Sequence, residues 1–159
     1  MIVVIGDILI DEYIYGTSVR LSPEAPVPVV KFLEKERKLG GAANVYNNIK
    51  SLTPDVELVD ITESDYPIKQ RIYADDHYVT RVDYEEEMDN SDLYDYVKQN
   101  VKDCTVVLSD YNKGTLKNPQ RIIRALKENN CYIIVDPKQD LEVYSGADII
   151  KPNKKEYEE

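Results

Sequence analysis

The sequence contains four short, mainly apolar runs, separated by stretches with helical periodicity. The runs occupy residues 1–5, 105–108, 132–135 and 148–150. A short continuous apolar run is typical of a strand that is buried on both faces. The stretch 118–128 has apolar residues at helical spacing, and residues 92–102 form a second helical pattern. This alternation predicts an α/β fold, with a mostly parallel sheet flanked by helices.

The remaining segments predict a small β lid beside that sheet. Residues 26–38 mix prolines, apolar residues and charges, which indicates an edge hairpin that projects as a lid. Residues 69–73 and 78–83 predict an antiparallel pair, and residues 56–59 predict one more strand. We expect a single domain over residues 1–159.

Charge and hydropathy exclude several classes of function. The chain has 20 Lys and Arg residues against 30 Asp and Glu, and the net charge of -10 repels polyanions. We therefore expect no nucleic-acid partner and no binding to anionic membranes. No apolar run approaches the roughly 20 residues of a membrane span, and there is no signal-peptide pattern. The expected location is the cytoplasm.

Polar side chains follow the predicted strands close to the point where each strand ends. They are Asp7, Asp11, Asp110, Asp136 and Asn153. Ligands of open α/β sheets bind beyond the carboxyl ends of the strands, so these groups should line one rim. Carboxylates accept hydrogen bonds from vicinal hydroxyls or bind Mg²⁺, which favours a polyol or a metal-nucleotide as ligand. The alternative for each residue alone is that it only terminates a strand and begins a turn.

A pair of glycines precedes the predicted helix that ends near Leu52. Gly40 and Gly41 allow the backbone to approach a ligand, and the helix that follows begins close to Asn44. Close packing of this helix is the alternative explanation of the two glycines.

Several motifs together resemble the ribokinase/PfkB family of sugar kinases. They are V-I-G-D from Val4, R-L-S-P-E-A-P-V-P-V from Arg20, G-G-A-A-N from Gly40, S-D-Y-N-K-G from Ser109, D-P-K from Asp136 and P-N-K-K-E from Pro152. They occur in the family's order over almost the whole chain. Within the family, the chain looks most like the N-terminal half of the heptose 7-phosphate kinase domain of the bifunctional ADP-heptose synthesis enzyme.

The resemblance implies roles for particular residues. The implied sugar site consists of Asp7, Asp11, Gly40, Gly41 and Asn44. The implied holders of a sugar phosphate are Arg20, Lys69, Arg71 and Arg81, with Asp110 and Lys113 on the same rim. For the four phosphate candidates, solvated surface positions or internal ion pairs are equally good explanations. The implied nucleotide-side residues are Asp136, Lys138, Asn153 and Glu156, with Glu156 also the metal ligand. The alternative for Asn153 and Glu156 is a capping box at a helix start.

The chain also departs from the family pattern. None of its six glycines lies in the family's G-A-G-D loop, which carries the catalytic base, so no residue is assigned as that base. Residues 53–68 have room for one strand but not for the extra strand and helix of relatives. We therefore expect a truncated ribokinase-like fold that retains the sugar-binding half and the lid.

Three functional hypotheses follow. The first is a non-catalytic protein that binds a sugar or sugar phosphate and requires no cofactor. The second is one chain of a split heptose-phosphate kinase, which uses Mg-ATP once a separate C-terminal half completes it. The third is an interaction protein that forms mixed dimers with a full-length kinase. The resemblance also implies a homodimer through the lid. The alternative is that another chain docks on an unpaired sheet edge at residues 147–150.

Overall fold

A computed structural model describes residues 1–61, 65–85 and 92–158. In chain order, its strands are β1 (Ile2–Gly6), β2 (Ile8–Thr17), β3 (Lys31–Gly41), β4 (Val56–Val59), β5 (Ile68–Ala74), β6 (His77–Tyr84), β7 (Thr105–Ser109), β8 (Tyr132–Asp136) and β9 (Ile149–Ile150). The helices are α1 (Ala42–Leu52), α2 (Leu93–Asn100), α3 (Pro119–Glu128) and α4 (Lys154–Glu158), and a 3-10 helix spans Leu141–Tyr144. None of the helices in these described ranges is long and apolar enough to cross a membrane.

The central sheet is parallel and has the order β4-β1-β7-β8-β9. Successive residues of β1 point to opposite faces, so Val3 and Ile5 pack with α2 and α3, while Val4 packs with α1. Both faces of the sheet are therefore covered by helices. This burial on two sides is the physical reason for the mainly apolar runs, and it confirms the predicted parallel sheet and its flanking helices.

Helix α3 shows how local sequence sets the element boundaries. The side chain of Asn118 accepts a hydrogen bond from the backbone N–H of Arg121, and Pro119 occupies the first helical position. Ile122, Ile123 and Leu126 are buried against the sheet, at the spacing that predicted this helix. The thiols of Cys104 and Cys131 are free and buried at the start of β7 and β8.

The lid is a four-stranded sheet with the order β3-β2-β5-β6. Its antiparallel pair of β5 and β6 confirms the prediction for residues 69–73 and 78–83. The predicted hairpin at residues 26–38 is wrong, because β3 begins only at Lys31 and pairs with β2.

The prolines explain where β3 begins. Pro23, Pro26 and Pro28 have no amide hydrogen to donate to a ladder, so the chain from residue 18 to residue 30 forms a loop. This loop is closed by a single bridge between Leu21 and Pro28. The lid strand therefore starts after the last proline.

Candidate functional site

The carboxyl ends of β1, β7 and β8 bring Asp7, Asp110 and Asp136 to one rim of the central sheet. Their strands are neighbours, with Gly6 opposite Ser109 and Ser109 opposite Asp136. Asp7 is completely buried and Asp110 is 3% exposed, whereas Asp136 is partly exposed. The three carboxylates therefore differ in their access to a ligand.

The Asp7 carboxylate binds the protein's own backbone. Oδ2 accepts from the N–H groups of Tyr111 (2.7 Å) and Lys113 (3.1 Å), and Oδ1 accepts from that of Thr115 (3.0 Å). Because the side chain is completely buried, direct contact between Asp7 and a sugar, as the sequence suggested, does not fit this arrangement. Asp7 instead holds the segment 111–115 in place on the rim.

The two glycines make room for these acidic residues. Gly41 has a φ of +59°, and a Cβ on it would overlap the backbone carbonyl oxygen of Asp7. A Cβ on Gly40 would overlap the carboxylate of Asp11. The glycine pair therefore lets the backbone come close to Asp7 and Asp11 of the protein itself.

A cleft of about 500 Å³ lies between the lid and the start of α1; we call it the sugar cleft. It is lined by Asp11, Tyr13, Lys38, Leu39, Asn44 and Asn47. Asp11 accepts a hydrogen bond from the Arg71 guanidinium at 2.6 Å, and this bond raises the pKa of Arg71. The same guanidinium lies 5.4 Å from the centre of the Tyr13 ring. Arg71 thus orients Asp11 at the edge of this cleft.

A second cleft of about 500 Å³ opens between the lid and the carboxyl ends of β7 and β8; we call it the rim cleft. It is lined by Lys69, Arg81, Asp83, Glu85, Asp110, Tyr111, Lys113, Asp136, Pro137, Lys138, Asn153 and Glu156. This set includes eight residues that the sequence placed at the site.

The cations of the rim cleft have acidic neighbours. Arg81 Nε lies 2.7 Å from the Asp83 carboxylate, and Lys113 Nζ lies 2.5 Å from that of Glu85. Lys69 Nζ lies 5.9 Å from the centre of the Tyr111 ring. An anionic ligand would therefore have to compete with carboxylates for Arg81 and Lys113.

Tyr111 lines the rim cleft. Its side chain is half-buried, and burial raises its pKa, with further contributions from the negative charges of Asp136 and Asp11. Asp136 lines the rim cleft and Asp11 lines the sugar cleft. Asp11 and Lys69 are register partners on β2 and β5, so the two clefts share one face of the lid.

Asp110 is held by donors from three directions. The Tyr144 hydroxyl (2.6 Å) and the Gln139 side-chain amide (2.8 Å) donate to Oδ2, and the N–H of Asn112 (2.6 Å) donates to Oδ1. Burial raises the pKa of Asp110, although these hydrogen bonds favour its ionised form. Asp110 thus fixes the loop after β7.

Asn153 and Glu156 form the capping box that the sequence offered as the alternative to a nucleotide site. The N–H of Asn153 donates to Glu156 Oε2 (2.9 Å), and the N–H of Glu156 donates to Asn153 Oδ1 (3.0 Å). The first of these bonds lowers the pKa of Glu156, with help from Lys138, 3.4 Å away. Within the described residues, no three His, Cys, Asp or Glu side chains form a metal-binding group. The role of Glu156 as a metal ligand stays a prediction.

Comparison with known proteins shows which proteins this chain resembles in sequence. No family model matches the chain. The bifunctional protein HldE of Haemophilus influenzae (strain PittEE) is 36% identical over 188 aligned residues, covering 99% of this chain. HldE of Campylobacter jejuni subsp. doylei is 38% identical over 183 residues, covering 98% of this chain. The chain spans 40% of the length of either relative.

Solved structures of sugar kinases have the same fold over nearly the whole of this chain. A putative phosphofructokinase from Staphylococcus aureus superposes with a TM-score of 0.71 at 14% identity, over 99% of this chain and 61% of that one. Arabidopsis thaliana ribokinase superposes with a TM-score of 0.58 at 16% identity, over 98% and 60%. This chain has a ribokinase-like fold. The resemblance to PfkB sugar kinases and to part of HldE that the motifs indicated is confirmed.

One residue assigned from the ribokinase-like motifs lies apart from the others. Arg20 is exposed in the loop of residues 18–30 and lines neither the sugar cleft nor the rim cleft. Arg71 also lines neither cleft, but it donates a hydrogen bond to Asp11.

Sequence reasoning missed several residues of this candidate site. They are Tyr13, Lys38, Asn47, Tyr111, Gln139 and Tyr144. Asn47 had a usable signal, because it lies three residues after Asn44 and shares its helix face. Tyr111 stands inside the S-D-Y-N-K-G motif, but nothing local distinguishes it from the other tyrosines of the chain.

Proposed function

We propose that this chain binds a phosphorylated sugar, with a heptose phosphate as the first candidate, across the sugar cleft and the rim cleft. The observation that carries the proposal is that register partners on the lid line the two clefts: Asp11 of β2 lines the sugar cleft and Lys69 of β5 lines the rim cleft, so the two side chains share one face of the lid. The heptose class comes from the resemblance of the sequence to heptose 7-phosphate kinases.

The sugar cleft offers the groups that a polyol needs. The Asp11 carboxylate accepts hydrogen bonds from hydroxyls, while the amides of Asn44 and Asn47 both donate and accept. Arg71 bonds to one oxygen of Asp11, and the second oxygen lies above Gly40. In this proposal Asp11 binds a vicinal pair of sugar hydroxyls beside these two amides.

The rim cleft offers cations to a phosphate group. Lys69 and Arg81 lie on neighbouring strands of the lid, where Lys69 pairs with Asp83 in register. A phosphate dianion carries more charge than a carboxylate and accepts paired hydrogen bonds from a guanidinium, so it can displace Asp83 from Arg81. In this proposal the phosphate binds between the lid and the loops that follow β7 and β8.

Two substitutions on β6 test this competition because they have opposite expected effects. Arg81→Gln removes a phosphate partner, and we expect about a tenfold weaker affinity for a heptose phosphate. Asp83→Asn removes the competing carboxylate, and we expect a several-fold stronger affinity. Calorimetric titration with a heptose 7-phosphate, and with the free heptose as control, measures both effects. Equal changes for the two ligands would contradict the assignment of the phosphate to Arg81.

We also propose that residues 1–159 alone do not transfer a phosphoryl group. Transfer in this family depends on positioning and on electrostatic stabilisation by the G-A-G-D loop, which this sequence does not contain. We expect no ATP consumption above background with a panel of sugars, and turnover once a C-terminal half from a related kinase is added. Turnover by the 159 residues alone would contradict the proposal. Mg-ATP is thus proposed as a cofactor only of a completed kinase.

The proposed partner is a second copy of the chain, bound through the lid. Tyr13, Tyr15, Tyr73 and Tyr78 form a stacked cluster on the lid, with neighbouring ring centres 5.4 to 6.5 Å apart. Tyr78 is 55% exposed, and Phe32 and Leu33 on the edge strand β3 are about as exposed.

The lid cluster gives a direct test of this association. Tyr78→Ser removes an exposed ring from the cluster, and we expect at least a tenfold weaker dimer because aromatic residues carry much of an interface's binding energy. Light scattering over a concentration series measures the mass, with Tyr132→Ser on the central sheet as the control. The same measurement on a mixture with a full-length kinase homologue tests mixed dimers. A wild-type chain that stays monomeric at high concentration would contradict the homodimer.

A further inference from the structure

We infer that Tyr144 is a positioning residue whose hydroxyl group ties together the two loops on which the rim cleft is built. This inference rests on the proposed function, because it assigns to Tyr144 the arrangement of the groups that would hold the sugar phosphate. Tyr144 itself lines neither of the two clefts.

The hydroxyl of Tyr144 makes three hydrogen bonds inside the protein. It donates to Asp110 Oδ2 at 2.6 Å, and it accepts from the backbone N–H groups of Lys138 (3.1 Å) and Gln139 (3.0 Å). One hydroxyl has a single hydrogen to donate and two lone pairs to accept with, so this group uses its full capacity. The residue is completely buried, which fixes the hydroxyl in this position.

The partners of this hydroxyl belong to two neighbouring strand ends. Asp110 follows β7 and begins the segment that includes Tyr111 and Lys113. Lys138 and Gln139 follow β8, directly after Asp136 and Pro137. Both segments line the rim cleft. The Tyr144 side chain comes from the 3-10 helix behind them and joins them from the protein interior.

The side chain of Gln139 strengthens the connection between the two loops. Its amide nitrogen donates to Asp110 Oδ2 at 2.8 Å and to the carbonyl oxygen of Leu116 at 3.2 Å. The loop after β7 is thus bonded to the loop after β8 through both a side chain and the Tyr144 hydroxyl. Such bonds between loops reduce the ordering that a ligand would otherwise have to impose on binding.

A purely structural role for Tyr144 gives different expectations. Its ring packs in the main core with residues of β7, β8 and α3, and a phenylalanine would keep that packing. If only packing mattered, Tyr144→Phe would leave ligand selectivity unchanged. If the hydroxyl positions the loops, the same change lowers the affinity for a phosphorylated sugar more than the affinity for the free sugar, since only the phosphate reaches the rim cleft.

Tyr144→Phe is therefore the principal test, with Tyr132→Phe on β8 as the matched control because the Tyr132 ring is about half exposed. Titration with a heptose 7-phosphate and with the free heptose gives the two affinities. We expect Tyr144→Phe to bind the phosphate about tenfold more weakly and the free sugar within about twofold of the wild type. Hydrogen exchange followed by NMR should show faster exchange of the amides of Lys138 and Gln139 in this variant, and no change in Tyr132→Phe.

Gln139→Met provides a second variant that keeps the length of the side chain and lies closer to the surface. It removes the other side-chain donor to Asp110, and we expect the same selective loss with a smaller magnitude.

Unchanged phosphate affinity and unchanged exchange at residues 138 and 139 in Tyr144→Phe would overturn the inference while leaving the proposed function intact. Equal loss for both ligands would also overturn it, because that result indicates general loosening. A wild-type chain that binds neither ligand would instead overturn the proposed function and the part of this inference that concerns ligand affinity. The hydrogen-exchange experiment would still decide whether the Tyr144 hydroxyl holds the two loops together.

Discussion

Asp7→Ala should lower the free energy of unfolding by about 4 kcal/mol, the largest stability loss that we expect from any single change at the site. The substitution removes the acceptor of three backbone N–H groups, those of Tyr111, Lys113 and Thr115. Hydrogen bonds to a charged group are stronger than neutral ones, and N–H groups without an acceptor in a buried site carry the full cost of desolvation. Urea denaturation followed by circular dichroism measures the change.

Two further variants make this expectation specific. Asp7→Asn keeps the shape but turns one carboxylate oxygen into an N–H donor, so we expect about half of the loss. Asp95→Ala removes an exposed acidic residue from α2, and we expect a change within about 0.5 kcal/mol. If Asp7→Ala were as mild as Asp95→Ala, Asp7 would not be the residue that anchors the segment 111–115.

Asp11→Ala should weaken the binding of a heptose phosphate by about a hundredfold, the largest affinity loss that we expect. The change removes the carboxylate that would accept hydrogen bonds from sugar hydroxyls, and such bonds to a charged acceptor are worth about 1.5 to 3 kcal/mol each. It also frees the Arg71 guanidinium, which then lies beside the ligand without the partner that orients it. Calorimetric titration with the phosphorylated and the free heptose measures the loss.

The pattern of losses separates Asp11 from the phosphate-binding residues. Because Asp11 lies in the sugar cleft, its removal should weaken both ligands by a similar factor, in contrast to Arg81→Gln. Asp95→Asn is a control that changes the net charge by the same amount at a distance. Wild-type affinity in Asp11→Ala would refute the placement of the sugar between the lid and α1.

The parallel sheet was predictable because the relevant information is local. A strand covered by helices on both faces must be apolar at every position, so each of β1, β7 and β8 was visible as a continuous run. The helix α3 was visible for a similar reason, because a single buried face imposes helical spacing. The lid was harder to predict. β2 combines apolar and charged residues, with Asp11 turned to the sugar cleft and Glu12 bonded to Arg37 and Gln70.

The sequence predicted which residues belong to the candidate site, but it did not predict what each of them does. The motifs identified most of the residues that line the rim cleft, because strand ends and glycine turns leave a local mark in sequence. They assigned Asp7 to the ligand, whereas its buried carboxylate accepts hydrogen bonds from three backbone N–H groups more than a hundred residues away. The motifs did not identify Tyr144, whose hydroxyl donates a hydrogen bond to Asp110, 34 residues earlier in the chain.

The sequence by itself determined the order of strands and helices around the central sheet, the resemblance to sugar kinases, and the rim where polar groups gather. All three depend on periodicity and on motifs that neighbouring residues define. Only the tertiary structure decided which carboxylates are free to face the clefts and which bind the backbone. That distinction depends on burial and on hydrogen bonds between segments far apart in the chain, and a one-dimensional pattern contains neither.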